Sequence, residues 1–503
     1  MSNSKFKIFA FINIFGVLLS AFSFSAKAQE LPPAPSAPRV VKIPAVKEVT
    51  LSNKLKIAVV ERKNVPLVTV RLLIKNGASV EEDNLAGLAN MTAELLTKGT
   101  KTRTATQIAE QMEFLGGSIE TGANWNSTDI SVNVLADKLD AAMAIMADIL
   151  LNPAFAPKEI ELLKTQTIDN LNYNLKQPGV LANYVASRYS FDEHAASGTP
   201  ESIARLKRLD ITNFKRLFYN PDNAVLIFTG DITAAKAAAL AKKYFGVWRT
   251  PTVRTKIIQR IHTGPNLPTI PARETEIVKN LLVVDLPNAG QAAVVYARKL
   301  YEGRLNCPDG NCQASEVYYP ANVLNSVLGG GYSSRLNQEI RIKRGLSYGA
   351  GSSFAWRGFA SNFATRTQTK NESAAEVASL VAGEINRLTA DSIANSELVP
   401  RKAVLTGDFG RDLATNNGLA EKVAELYSYD LKVGELNSYM NRVNTVSDQQ
   451  IKDFAGANLR GGDIIIVGDY AKFKDDLAKR FPNTKIDVIK ADELDLSKEN
   501  LRK

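Results

Sequence analysis

Residues Leu328 to Phe354 read LGGGYSSRLNQEIRIKRGLSYGAGSSF. Three successive glycines, Gly329, Gly330 and Gly331, free the backbone for close approach or for a positive φ. Ser333 and Ser334 offer N-cap oxygens for a helix predicted over 335–344. Gly345 stops that helix after Lys343 and Arg344, basic residues that suit a helix C-terminus. The chain then leaves as a strand with Tyr348 near its start. A helix–glycine–strand corner of this kind can aim the guanidinium of Arg341 and the phenol of Tyr348 at one point. The same residues also read as a plain capped surface helix with an ordinary strand after it.

The 503 residues around this corner predict two to four domains with sizeable cores. An apolar fraction of 45% and a charged fraction of 23% are ordinary for a globular protein. At the start, Lys5 and Lys7 precede an apolar run from Ile8 to Phe24, and Ala26-Lys27-Ala28 stands before Gln29. This is a secretory leader over 1–28 with an Ala-x-Ala cleavage site. The competing reading is a retained anchor, because the run approaches spanning length. After cleavage the chain is expected to be periplasmic and free of the membrane. The formal charge of +10 drops to about +7 once Lys5, Lys7 and Lys27 are set aside. The basic residues are scattered, which argues against nucleic-acid binding. The only cysteines, Cys307 and Cys312, flank the turn sequence Pro308-Asp309-Gly310 and are expected to form a disulfide in an oxidising compartment.

A Pro-rich stretch over 29–46 reads as an extended tether, with order beginning at Leu51. Strands are expected at 55–60 and 66–74, then a helix over 85–96 ended by Lys98-Gly99. Further helices and a buried strand at 225–229 complete a first domain over 47–261. Residues 262–275, with Pro265, Pro268 and Pro271, read as a linker. The pattern then repeats over 276–490, followed by a charged tail over 491–503 expected to fray. Gly99 and Gly331 are 232 residues apart, and Gly230 and Gly468 are 238 apart. Two such matching intervals argue for a duplicated α+β domain.

The segment at 328–348 resembles the C-terminal half-site of the insulinase/pitrilysin-type zinc metallopeptidases, close to LGGG-x-SSRL-x-x-x-IR-x-x-x-GL-x-Y. Asn53-Lys54-Leu55, Asn76-Gly77-Ala78, Gly87-Leu88-Ala89, Lys98-Gly99-Thr100, Gly198-Thr199-Pro200-Glu201 and Tyr219-Asn220-Pro221-Asp222-Asn223 also fall where that family has similar words. The resemblance covers nearly the whole mature chain. It implies two homologous domains, each a mostly antiparallel mixed sheet with helices packed on one face, facing each other around a chamber. It also implies that Arg341 and Tyr348 bind a substrate carbonyl, with Gly329–Gly331 lying close to substrate or partner.

The family's other half-site does not carry over. Zinc members place His-x-x-Glu-His on the helix after Gly-Leu-Ala, where two His at i and i+4 share one face and bind the metal. Here that register holds Asn90, Ala93 and Glu94. An alanine cannot serve as general base, and no glutamate occurs from Leu162 through Asp192 to supply the third ligand. The two histidines, His194 and His262, read as surface or packing residues. No Gly-x-Ser-x-Gly elbow or Walker loop offers another chemistry. The resemblance therefore points to a non-catalytic subunit with no metal of its own. Such a chain closes over a zinc-bearing homologous partner in a heterodimer or larger assembly and helps it hydrolyse extended peptides. The alternative is a proteolytically inactive scaffold or peptide-holding protein of the same fold, such as a homodimer.

Overall fold

A computed structural model describes residues 43–251, 274–307 and 311–503. His262 and most of the expected linker lie outside these residues, as do the leader and the tether up to Lys42. Two six-stranded mixed sheets organise the chain. The first contains β1 (Val46–Thr50), β2 (Lys56–Glu61), β3 (Leu67–Ile74), β4 (Ser118–Ala123), β5 (Thr128–Leu135) and β6 (Ala224–Gly230). Its order is β1-β2-β6-β3-β5-β4. Order thus begins at Val46 rather than Leu51, because β1 pairs antiparallel with β2.

In the second half come β7 (Val278–Asp285), β8 (Ala292–Leu300), a small hairpin of β9 (Leu305–Asn306) and β10 (Gln313–Ala314), then β11 (Ala350–Trp356), β12 (Ser361–Thr369), β13 (Gly462–Gly468) and β14 (Ile486–Lys490). Read as β14-β7-β13-β8-β12-β11, the second sheet repeats the first strand for strand. β2 runs parallel to β6 and β7 parallel to β13, while the other shared pairings are antiparallel. Only the outer strand differs. β1 lies antiparallel to its neighbour, and β14 lies parallel. This is the duplicated α+β fold that the glycine intervals predict.

Side chains alternate across a strand, so each sheet has two faces to cover. One face of the first sheet, with Ile57, Val59, Val70, Leu72, Leu226 and Phe228, packs on helices of its own half. Among those helices is Leu88–Leu95, somewhat shorter than the predicted 85–96 and continued by a 3₁₀ turn. The other face, with Ala58, Val60, Leu73, Val225 and Ile227, is also buried. Its cover is a helix of the second half, Asn416–Ser428, packed on β3 and β6. In return, helix Pro178–Tyr189 of the first half lays Leu181, Ala182, Val185 and Ala186 on Val295, Ile465 and Val467 of the second sheet. The two helices are equivalent in the duplication. Leu181-Ala182, Val185-Ala186 and Tyr189-Ser190 recur at Leu419-Ala420, Val423-Ala424 and Tyr427-Ser428. Each half therefore lends the other one layer. This explains why β6 is buried at every position, a pattern expected of a strand covered on both faces.

The charged tail does not fray. Its strand-like turn bridges Leu494 to Arg502, Arg502 donates to Asp487 at 2.7 Å, and Leu501 is fully buried against the second sheet. Leu501, with Ala491, Leu494 and Leu496 packed beside it, supplies the burial that holds this otherwise charged segment. No helix among the described residues is long and apolar enough to cross a membrane.

Candidate functional site

The corner at 328–350 is a short, heavily tied framework. Helix Tyr318–Leu328 ends at Gly329, where an added Cβ would lie 2.3 Å from the Ser352 backbone nitrogen on β11. Of the two uses expected for the glycine run, Gly329 serves close approach. Gly331 faces open space, with nothing within 4 Å of where a Cβ would stand. The buried Asn337 then joins the two sides of the corner. Its amide nitrogen donates to the Tyr332 carbonyl, and its oxygen accepts from Ala350 N–H at 3.4 Å. Helix Asn395–Asp412 braces the same segment from outside. Arg335 forks onto Glu397 at 2.9 and 2.8 Å, and Arg401 donates to Ser333 Oγ at 2.6 Å. Burial raises the Glu397 pKa, but the Arg335 guanidinium more than offsets this and holds the carboxyl below its usual range.

The predicted helix over 335–344 is different in kind. Asn337–Ile342 is a π-helical turn, with Lys343 N–H bonding the Gln338 carbonyl five residues back at 2.9 Å. Such widened turns are rare and cluster at functional sites. Gly345 closes the turn at φ +65°, and Leu346 N–H returns to the Ile340 carbonyl at 2.9 Å. Tyr348 is not on the next strand, which begins at Ala350. It sits at the tip of a turn clamped by Ser347, whose hydroxyl accepts from Gly349 N–H at 3.1 Å and donates to the Gly349 carbonyl at 2.7 Å. Thr369 ties the base of this turn by donating to the Leu346 carbonyl at 2.6 Å. The phenol is consequently 90% exposed.

Arg341 is half-buried, and its guanidinium lies over the Tyr332 ring, 5.0 Å from the centroid. Among the described residues it has no carboxylate partner. The one acid of its turn, Glu339, is taken by Lys343 and by Arg344 at 2.6 Å, which together hold its pKa below the ordinary range. No hydrogen bond among the described residues links Arg341 to Tyr348. The structure therefore brings both onto one corner as separate, outward groups.

At the other half-site the half-buried side chains are bonded to one another. On helix Leu88–Leu95 the Asn90 amide donates to Glu94 Oε1 at 2.8 Å, and Asn90 Oδ1 accepts from Ala123 N–H at 3.4 Å. The two side chains at the i and i+4 positions thus satisfy each other. Ala93 is fully buried. Across from this helix, Thr167 of helix Pro157–Asn174 meets Met91 at 3.7 Å. An amide, one carboxylate and a buried methyl group do not fit zinc, which takes imidazole, thiolate or carboxylate in sets of three or four. Among the described residues no group of three or more His, Cys, Asp or Glu side chains is arranged to hold a metal.

One residue near that helix was not singled out by sequence. Glu81 reaches its N-terminus and accepts from Gly87 N–H at 2.9 Å and from Ala89 N–H. Burial pushes its carboxyl up to about 8, against the pull of those two backbone bonds. His194 packs beside it, with Nδ1 3.8 Å from Glu81 Oε2 and Nε2 3.1 Å from the Ala78 carbonyl. Trp125 lies against its other side with ring centroids 5.0 Å apart. Of the two roles expected for His194, the structure gives it packing. Cys307 and Cys312 form a disulfide across the β9–β10 hairpin, with Cα atoms 3.9 Å apart.

Comparisons with known proteins agree with this geometry. Residues 56–197 match the family described as Insulinase (Peptidase family M16), and residues 205–403 match the Peptidase M16 inactive domain. An uncharacterized zinc protease of Mycobacterium leprae is 25% identical over 438 residues, covering 84% of this chain and 92% of that one. A Helicobacter pylori protein named as a non-peptidase homolog is 24% identical over 431 residues, covering 82% and 91%. Among solved structures, a peptidase M16 inactive domain from Pseudomonas fluorescens superposes with a TM-score of 0.72 at 24% identity, over 84% of this chain and 98% of that chain. A protease from Helicobacter pylori gives 0.74 at 19% identity, over 85% and 100%. With its duplicated sheets, its words and both matched segments, the chain belongs to the insulinase family, peptidase family M16.

Proposed function

We propose that this chain is the non-catalytic subunit of a two-chain insulinase-type metallopeptidase. A homologous partner carries the zinc, and this chain supplies the opposite wall of the peptide chamber. The observation that carries the reading is the contrast between a helix whose Asn90 and Glu94 bond each other around a buried Ala93 and a corner bearing Arg341 with no carboxylate partner and an exposed Tyr348. A tied framework that holds both outward is what preorganised hydrogen-bond donors require. In this role Arg341 and Tyr348 donate to the scissile carbonyl oxygen, more strongly as it gains negative charge, while the open backbone at Gly331 admits an extended peptide. The leader reading places the complex in the periplasm, where Cys307 and Cys312 stay oxidised.

The test is Tyr348→Phe in the complex reconstituted with its zinc-bearing partner. The change deletes one hydroxyl from an exposed ring, so folding and assembly should survive. Loss of one such donor costs about 10²–10³ in rate, roughly 2.7–4 kcal/mol. We expect kcat/KM to fall at least tenfold while the complex elutes as one species. Unchanged activity in an intact complex rejects the reading. A scaffold or peptide-holding role would then lead, a reading favoured by the relative named as a non-peptidase homolog.

A further inference from the structure

The cations on the corner are held in two ways. Arg335 has its fork occupied by Glu397, and Lys343 and Arg344 share Glu339. Arg341 alone lies on an aromatic face, that of Tyr332. Contact with a ring face leaves most of the five guanidinium N–H donors free for another partner. A bidentate carboxylate would have taken two of them as a matched pair. The ring itself stands on a fixed base. The Tyr332 carbonyl accepts from the buried Asn337 amide, and Ser334 donates to the Gly331 carbonyl through Oγ at 2.6 Å and through N–H at 3.0 Å. Tyr332 is nonetheless 64% exposed, too open for its ring to be explained by core packing.

We infer that Tyr332 is a positioning residue whose ring face seats the Arg341 guanidinium with its donors unspent. This rests on the reading of Arg341 as a substrate-binding group. A long side chain ordered before the ligand arrives loses less freedom on binding than one ordered by it. An exposed cation–π contact corresponds to a two- to fivefold effect on an equilibrium. Removing the face should therefore weaken Arg341's contribution without abolishing it.

Two measurements on the full chain test this. The first is the Nε–H resonance of Arg341 in the isolated, arginine-labelled protein, assigned by its loss in Arg341→Lys. The signal should be ring-current shifted in the wild type and in Tyr332→Phe, and should move to the open-chain position in Tyr332→Leu. An open-chain position in the wild type, or no movement in Tyr332→Leu, overturns the seat. The second is kinetics in the reconstituted complex. Tyr332→Leu should lower kcat/KM two- to fivefold, with Tyr332→Phe restoring it to within twofold of wild type. Equal losses in both variants, or no loss in Tyr332→Leu where Arg341→Lys is impaired, overturn the positioning role. If Arg341→Lys leaves the complex unimpaired, the functional reading fails and the positioning role with it. The resonance still decides separately whether the ring holds the guanidinium.

Discussion

The chain builds the same corner twice and uses it differently each time. In the first half, helix Ala105–Phe114 ends at Gly116 with φ +63° and leads into β4 two residues later. In the second, the turn at Asn337–Ile342 ends at Gly345 with φ +65° and reaches β11 five residues later. The longer connection is the one that holds Tyr348 outward. The helix before each corner differs in the same sense. Leu88–Leu95 turns Ala93 into the core and pairs Asn90 with Glu94, while Tyr318–Leu328 runs into a glycine run that packs tightly at Gly329 and Gly330 and opens only at Gly331. Duplication supplied two equivalent sites. In one, Asn90 and Glu94 bond each other over a buried Ala93; in the other, Tyr348 is exposed and Arg341 has no carboxylate partner among the described residues.

The largest test of that contrast is Ala93→Glu. It forces a carboxylate into a fully buried position and should cost several kcal/mol. Urea unfolding measures it. A loss below about 1 kcal/mol, within the ordinary range for a single substitution, would show that the first site is still open.

Next is the pH dependence carried by Glu81, which caps the start of helix Leu88–Leu95. Its folded pKa of about 8 lies above the ordinary 4.5, so between those values the folded state holds a proton the unfolded state has lost. Stability should therefore be greatest below about 4.5 and fall as pH rises toward 8, by on the order of a few kcal/mol. Glu81→Gln should flatten this slope in unfolding midpoints taken at intervals across the window. Parallel slopes for variant and wild type would place the Glu81 carboxylate in contact with water.

A smaller effect belongs to the disulfide, which the first half lacks. Closing so short a loop contributes about 2 kcal/mol in the chain-entropy model. Replacing both Cys307 and Cys312 by Ser should cost no more than that. Thiol titration of exported, denatured and unreduced protein should find essentially no free sulfhydryl. Two reactive thiols per chain would contradict both the bridge and the compartment.

The smallest effect separates site from scaffold on stability alone. Tyr348→Phe should change unfolding free energy by less than about 0.5 kcal/mol, because the phenol touches water rather than the core. A loss above 1 kcal/mol would assign Tyr348 a structural role and erase the difference between the two corners.

Much of this was legible in the residues themselves. Matching glycine intervals revealed the duplication, because glycine marks places where the backbone must turn or touch. The loss of the zinc ligands was visible because metal binding depends on residue type at fixed helical spacing. The terminal glycine placed the end of the turn before Tyr348, because that signal acts through hydrogen bonds only a few residues long; the two serines do not cap it, since Ser334 Oγ donates to the Gly331 carbonyl and Ser333 Oγ accepts from Arg401.

Other features needed the folded chain. The apolar runs at β6 and β13 imply that both faces of each sheet are covered, but not that the covering helix comes from the other half. The π turn at Asn337–Ile342 is set by the packing of Asn337 between Tyr332 and Ala350, beyond the reach of local periodicity. Leu501, buried in an otherwise charged tail, and Tyr332, placed under Arg341, depend likewise on distant or widened contacts. Local hydrogen bonds and residue chemistry are written in consecutive residues. Which surfaces meet is decided only when the whole chain minimises its exposed apolar area, and that choice left the second corner facing outward.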